Sequence, residues 1–241
     1  MEKLEKFQLL LAWTIISTGI LLSSFVFATK IDKNENITVT GSASKIVKSD
    51  SASLTFAIRT NAINQKEAFS NIKKQSPKVV EYLISKEIKK EDIDIKAING
   101  YYNYKTNQNG YSTNEIIGYS ANQSYSIKSN DVEKIKHIST DIQSLVDKGI
   151  NLEIYSTEYF YSDLASIKID LLNEASKDAK QRANSMLKAT GASVGRVKSM
   201  KMGVFQITPP TSNNVSDMGF NDTTSIDKKV TAVANVVFKV K

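Results

Sequence analysis

The 241-residue sequence has no cysteine and a single histidine, and these two scarcities remove most of the common site chemistries. Without a thiol there can be no disulfide staple, no thiolate metal site, no cysteine nucleophile and no lipoprotein anchor on cysteine. His137 stands alone, so a histidine-based triad or a multi-histidine metal site cannot be assembled within the chain. It falls between Ile135 and Ile138 on an expected helix, which gives it a structural place toward solvent or the edge of a core. A glycine-rich phosphate loop is missing too: Gly191 and Gly195 flank Ala192-Ser193-Val194, but they follow an expected helix instead of leading into one. Nor is there a block of like charge. The formal net charge is +7, yet the lysines alternate with Asp and Glu along the whole chain, so no nucleic-acid partner is expected. Weak attraction to anionic head groups or acidic envelope polymers is the residual use of such a surface. The carboxylate pairs Asp92 and Asp94, Glu153 and Glu158, and Asp163 and Asp170 have no spacing beyond that of strand and helix surfaces. No catalytic, cofactor-binding or metal-binding residue is assigned, and the chain is expected not to be an enzyme.

What is present begins with a long apolar run. Phe7 to Ala28 spans 22 residues without a formal charge. At about 1.5 Å per residue, a helix of that length crosses roughly 30 Å of hydrocarbon. A cleaved signal peptide ending at Val26-Phe27-Ala28 and an uncleaved anchor both fit, and the length of the run favours the anchor. The organisation expected is a short cytoplasmic segment at 1–6, a transmembrane signal anchor or signal peptide at 7–28, a linker at 29–35 and one domain over 36–241. The domain would lie across the membrane, on the periplasmic or outer face of a bacterium. With 41% hydrophobic and 24% charged residues, the composition is that of an ordinary globular chain.

Beyond residue 36 the pattern alternates between strands and helices. Ile37, Val39, Ile46 and Val47 suggest a strand pair bent at Gly41, and Leu54, Phe56 and Ile58 mark a following strand, together an opening hairpin. Phe69, Ile72, Val79, Val80 and Leu83 recur at helical spacing over 64–86, with Asn64 as N-cap three residues before Glu67 and Pro77 expected to kink or divide the helix. Ile93, Ile95 and Ala97 open a strand that continues into the tyrosines, Asn109-Gly110 turns it, and Ile117 to Ile127 returns in clear alternation. Asp131 caps a second helix that closes at Gly149, and Leu152 starts another strand. The longest helix runs from about Ser162 to Thr190, with alanines at steps of four that permit close approach to a neighbour. Val197 to Ile207 and Val230 to Val240 read as strands around a polar loop at about 208–229, expected to be mobile. The fold class expected is α+β: a mixed, largely antiparallel sheet with helices packed on one face, preceded by one N-terminal transmembrane or signal-anchor helix.

Tyr101, Tyr102, Tyr104 and Tyr111 cluster on one expected hairpin. Strand packing accounts for aromatics in such places, and sugar, peptide or subunit binding are the functional readings. A subunit interface fits best among these, because exposed aromatic hairpins commonly bury themselves in assemblies.

Ile37-Thr38-Val39-Thr40-Gly41-Ser42-Ala43, followed by Lys48-Ser49-Asp50-Ser51-Ala52, resembles the opening of the SIMPL domain family. Ile117-Gly118-Tyr119-Ser120-Ala121, the helical set Ala175, Asp178-Ala179, Arg182-Ala183, and Gly191 with Gly195-Arg196-Val197 agree in order and spacing, and the likeness covers about residues 36 to 241. Ser49 stands where the family commonly has proline, which bears on local backbone shape. The resemblance implies a non-enzymatic cell-envelope protein that self-associates, related to outer-membrane surface antigens and to proteins linked with oxidative-stress defence. It supplies no catalytic residues, and it makes Gly41, Asp50, Gly118, Tyr119, Ala179 and Ala183 fold-defining positions. The expected partners are the membrane through the N-terminal helix, further copies of the same chain and an envelope polymer or protein. Two other classes stay open: an exported hydrolase acting through carboxylates, and a polymer- or solute-binding module using the tyrosine face.

Overall fold

A computed structural model describes residues 13–24 and 35–241 of the chain. Residues 13–24 are helical (α1), and their large apolar side chains, Trp13, Ile15, Ile16, Ile20, Leu21 and Leu22, are all exposed. Among the described residues no helix is long and apolar enough to cross a membrane. The expected span at 7–28 lies only partly within them, and the 1–6 segment, both flanks of the span and nearly all of the 29–35 linker fall outside the described residues.

The remaining order is β1 (Asn36–Lys48), β2 (Ser51–Ala62), α2 (Gln65–Ser85), β3 (Ile93–Ile95), β4 (Asn99–Thr106), β5 (Ser112–Ser129), α3 (Val132–Asp141), α4 (Ser144–Asp147), β6 (Leu152–Phe160), α5 (Leu164–Lys188), β7 (Val194–Met202), β8 (Gln206–Thr208), β9 (Phe220–Asn221) and β10 (Asp227–Val240). The class is mixed α+β, as expected, but the strands form two sheets instead of one. One sheet has the order β1-β10-β8-β9 with β7 also on β10; the other has the order β3-β5-β2-β6 with β4 also on β5. The expected opening hairpin does not exist, because β1 is one continuous strand and belongs to a different sheet from β2. The chain divides into two compact units, one holding residues 35–41, Ala175–Met202 and Ala234–Lys241, the other Ser42–Glu174 and Gly203–Val233.

The larger unit is built on alternation. Leu54, Phe56 and Ile58 of β2 and Tyr119, Ala121, Tyr125 and Ile127 of β5 are buried on one face. There they meet Ala68, Ile72, Val79 and Leu83 of α2 and Val132, Ile135 and Ile138 of α3. Two local caps start these helices as the spacing predicts: Asn64 Oδ1 accepts from Glu67 N–H at 2.9 Å, and Asp131 Oδ1 accepts from Lys134 N–H at 2.9 Å. Pro77 does not divide α2, which runs unbroken over 21 residues. Proline removes one intrahelical donor, while Ile72 before it and Val79 and Leu83 after it are fully buried and hold both halves to the sheet. The expected long strand through Ala97 is instead two, β3 and β4, laid end to end along the same edge of β5.

In the smaller unit β7 pairs antiparallel with the end of β10, from Ala234 opposite Met202 to Val240 opposite Val194, with two register shifts. The helix α5 passes across β1 at Gly41. A Cβ there would sit 2.7 Å from Ala179 Cβ and against the backbone of Ala175, so only glycine permits the crossing. Ala175, Ala179 and Ala183 are fully buried, and the expected close approach is the reason for their small size. The expected strand Val197 to Ile207 is split into β7 and β8, and the polar stretch 208–229 contains β9 and the start of β10.

Candidate interaction site

Half of β5 has a complete sheet around it and half does not. Residues Tyr119 to Ser129 stand opposite β2 from Ala62 to Ala52, with β3 and β4 on the other edge. From Ser112 to Gly118 the only strand beside β5 among the described residues is β4, so the two form an arm that extends past the end of β2. Asn107 Oδ1 closes its tip by accepting from the N–H groups of Asn109 and Tyr111, both at 3.0 Å, with Gly110 in the left-handed region at φ 83°. Lys105 Nζ bridges to Glu115 at 2.9 Å across the arm.

The four tyrosines singled out from the sequence are exposed: Tyr111 (71%) at the tip of the arm, Tyr104 along it, and Tyr101 (56%) and Tyr102 at its base, opposite Ser120 and Tyr119. They are not equivalent. Tyr102 meets the buried Tyr119 ring edge-on, with centroids 4.9 Å apart, so part of its area belongs to the fold. Tyr101, Tyr104 and Tyr111 have no such ring partner among the described residues. Two further apolar side chains that sequence reasoning did not place at the interface, Ile116 and Ile117, are also exposed here. Their signal is visible in hindsight: two successive apolar residues in an alternating strand cannot both face one core. A β-bulge shifts the register between Asn103 and Tyr104, opposite Gly118 and Ile116.

Of the positions expected to define the fold, Gly118 lies at the base of the arm and Asp50 in a turn, while Gly41 and Ala179 meet where α5 crosses β1. Gly118 lets the backbone pass Ala62, whose carbonyl oxygen would lie 2.9 Å from an added Cβ. Ser120 Oγ lies 2.7 Å from Asn61 Oδ1 and 2.9 Å from Asn103 Oδ1, tying β2, β4 and β5 together. Asp50, in the turn between β1 and β2, accepts from Ser162 N–H at 3.0 Å and from Ser162 Oγ–H at 2.6 Å. The Ser162 hydroxyl is the main influence holding the Asp50 carboxyl below the usual carboxylate range.

His137 is exposed and lines a groove of about 690 Å³ together with Lys86, Asp131, Lys134 and Asp141. The charges in that groove are committed. Lys86 Nζ lies 2.7 Å from Asp141 and Lys134 Nζ 3.0 Å from Glu87. Lys86 and the Tyr82 hydroxyl both hydrogen-bond Asp141 and hold its carboxyl low, and burial together with Asp141 pushes the Tyr82 phenol well above its ordinary value. Elsewhere Asp94 pairs with Lys96 at 2.7 Å and Glu153 with Arg59 at 2.8 Å, so these candidate acids and bases face cations. Among the described residues no group of three or more His, Asp or Glu side chains is arranged to hold a metal.

The family model SIMPL, described as a protein of unknown function (DUF541), matches residues 37–238. No curated protein matches the chain.

Proposed function

The chain belongs to the SIMPL family, and we propose from that premise that it is a non-enzymatic, membrane-anchored protein of the bacterial cell envelope that self-associates outside the cytoplasm and serves envelope or oxidative-stress defence. The observation that carries the self-association is the arm. A two-stranded hairpin is marginally stable by itself in water, and this one exposes Tyr104, Tyr111, Ile116 and Ile117 at its surface, with Tyr101 exposed at its base. An exposed aromatic and aliphatic cluster on a strand pair is the composition of an interface core. Anchoring is supported by the uncharged run from Phe7 to Ala28 and by the exposure of every large apolar side chain between residues 13 and 24, which a surrounding lipid would cover. The non-enzymatic reading is supported by the engagement of Asp94, Asp141 and Glu153 with lysine or arginine, and the family carries no known reaction.

Light scattering coupled to size exclusion on the full chain in detergent tests the assembly. A discrete oligomer is expected, reduced to monomer when Tyr101, Tyr104 and Tyr111 are changed together to serine; Tyr102 is left in place because it packs on Tyr119. A monomer for the unaltered chain at all practical concentrations would remove self-association from this reading. Protease protection of the domain in intact spheroplasts against its digestion in inverted vesicles decides the side: digestion in inverted vesicles would overturn an extracytoplasmic domain.

A further inference from the structure

The backbone of β4, at the base of the arm, specifies how this edge would meet a partner. The bonding direction alternates along each strand. Arg59 N–H of β2 donates to Asn151 O at 2.9 Å on the β6 side, so its neighbours Ile58 and Thr60 turn toward β5, where they stand opposite Gln123 and Ala121. The intervening Asn122 and Ser120 therefore turn their N–H and C=O groups to the other edge; Lys96 N–H donating to Ser124 O at 2.9 Å keeps the same alternation. Asn99 and Tyr101 stand opposite Asn122 and Ser120 and bond to them, which leaves the N–H and C=O groups of Gly100 and Tyr102 pointing away from the sheet. Among the described residues β4 has no second strand beside it. It also lacks the usual guards of an edge: it contains no proline, one lysine at its far end, and three exposed tyrosines.

We infer that β4 pairs antiparallel with β4 of a second copy of this chain about a two-fold axis at Tyr101, joining two sheets edge to edge. The inference rests on the self-association proposed above and adds its geometry. With Tyr101 opposite itself, Gly100 faces Tyr102 of the second copy, so both outward-pointing residues of each strand find a bonding partner. An axis at Tyr102 would instead place Gly100 opposite Tyr104, beyond the bulge where the alternation changes. The Tyr101 axis also sets Asn99 opposite Asn103, Lys105 opposite Ala97 and Lys96 opposite Thr106, so no two lysines meet. Gly100 leaves room beside the facing tyrosine ring, and it has its own reason to be glycine, since a Cβ there would run into the Ser120 carbonyl and the Tyr119 ring.

Because a residue on the axis faces its own copy, charge at Tyr101 is the decisive probe, and its exposure lets the fold tolerate the change. The full-length chain is prepared in detergent as Tyr101→Lys, as Tyr101→Glu and as an equimolar mixture. Each variant alone should lose this contact, seen as a fall in mass by light scattering, and the mixture should regain it. The absence of native cysteine supplies a second readout. Tyr101→Cys should form a covalent dimer under mild oxidation at least tenfold faster than Thr113→Cys or Ile117→Cys on the β5 side of the arm, since Cα atoms of such a facing pair lie about 4.5 Å apart, within disulfide reach. An oligomer that persists in both charge variants, or cross-links faster through β5, overturns the β4 pairing and leaves self-association standing by another surface. A monomeric unaltered chain overturns both.

Discussion

From Tyr119 to Ser129, β5 lies between β2 and the β3–β4 edge with α2 and α3 over one face; from Ser112 to Gly118 it has β4 alone. The same strand thus contains a buried half, where Tyr125 and Ile127 are fully enclosed, and a free half, where Ile116 and Ile117 are exposed. Apolar residues in the first half stabilise the monomer by leaving water on folding. Those in the second contribute nothing comparable until another surface covers them. Isoleucine does not distinguish the halves, since it occurs in both; the end of β2 at Ala62 does.

The sharpest way to break this contrast is to truncate one aromatic in each half. Tyr125 is fully buried and stacks on Phe56 with centroids 5.2 Å apart and planes 9° apart. Tyr125→Ala should cost about 3–5 kcal/mol, the usual range for a large aromatic removed from a core, read as a fall in the urea midpoint. A loss below about 1 kcal/mol would mean the sheet core is far looser than its burial implies. Next in size is Gly41→Val, which forces a branched side chain into the backbone of α5. Overpacking of this kind costs about 1–3 kcal/mol or more, and an unchanged thermal midpoint would show that α5 does not cross β1 as described.

Asp50 ranks third. Asp50→Asn keeps the shape but weakens a charge-assisted pair of bonds to Ser162, and a loss of about 1 kcal/mol is expected at neutral pH, since the site is partly exposed. The sign of its pH dependence follows from the depressed carboxyl. Its stabilisation is present above the unfolded value near 3.8 and is lost as pH falls through the lower folded value. The difference between the two proteins should therefore close on acidification below pH 3.8 and stay constant above about pH 6. A difference that grows on acidification would contradict the assignment.

The parts of this structure legible in the sequence are the local ones. Asn64 with Glu67, and Asp131 with Lys134, declare helix starts because a cap and its donor are three residues apart. The alternation from Tyr119 to Ile127 declares a half-buried strand, and the alanines of α5 declare a close crossing, though not that Gly41 is its other side. What stayed hidden is decided at long range. Ser49 N–H donates to Ile226 O and Asp50 N–H to Phe160 O, so the β1–β2 turn is held by two remote segments and sends its strands to different sheets. Lys228 falls in the expected polar loop at about 208–229, yet it lies in β10 and is 3% exposed, with its Nζ donating to Asp222 O at 2.6 Å. The arm lies between these cases. Its tyrosines were visible as a cluster, while the two-stranded arm that carries Tyr104 and Tyr111 depended on where β2 stops.

The smallest expected effect is the one that separates a fold residue from an interface residue. Ile116→Ser and Tyr104→Ser remove side chains that are about half in water and face each other across the strand pair, so the unfolding free energy of the dissociated chain should change by no more than about 1 kcal/mol. Measured at dilutions where the oligomer has separated, the two variants and the unaltered chain should have closely similar urea midpoints. At concentrations where the unaltered chain associates, its midpoint should rise with concentration by mass action, and the variants' should not. A loss of 2 kcal/mol or more at high dilution would place both residues among the groups that hold the monomer together, and the distal half of β5 would then belong to the core like the proximal one.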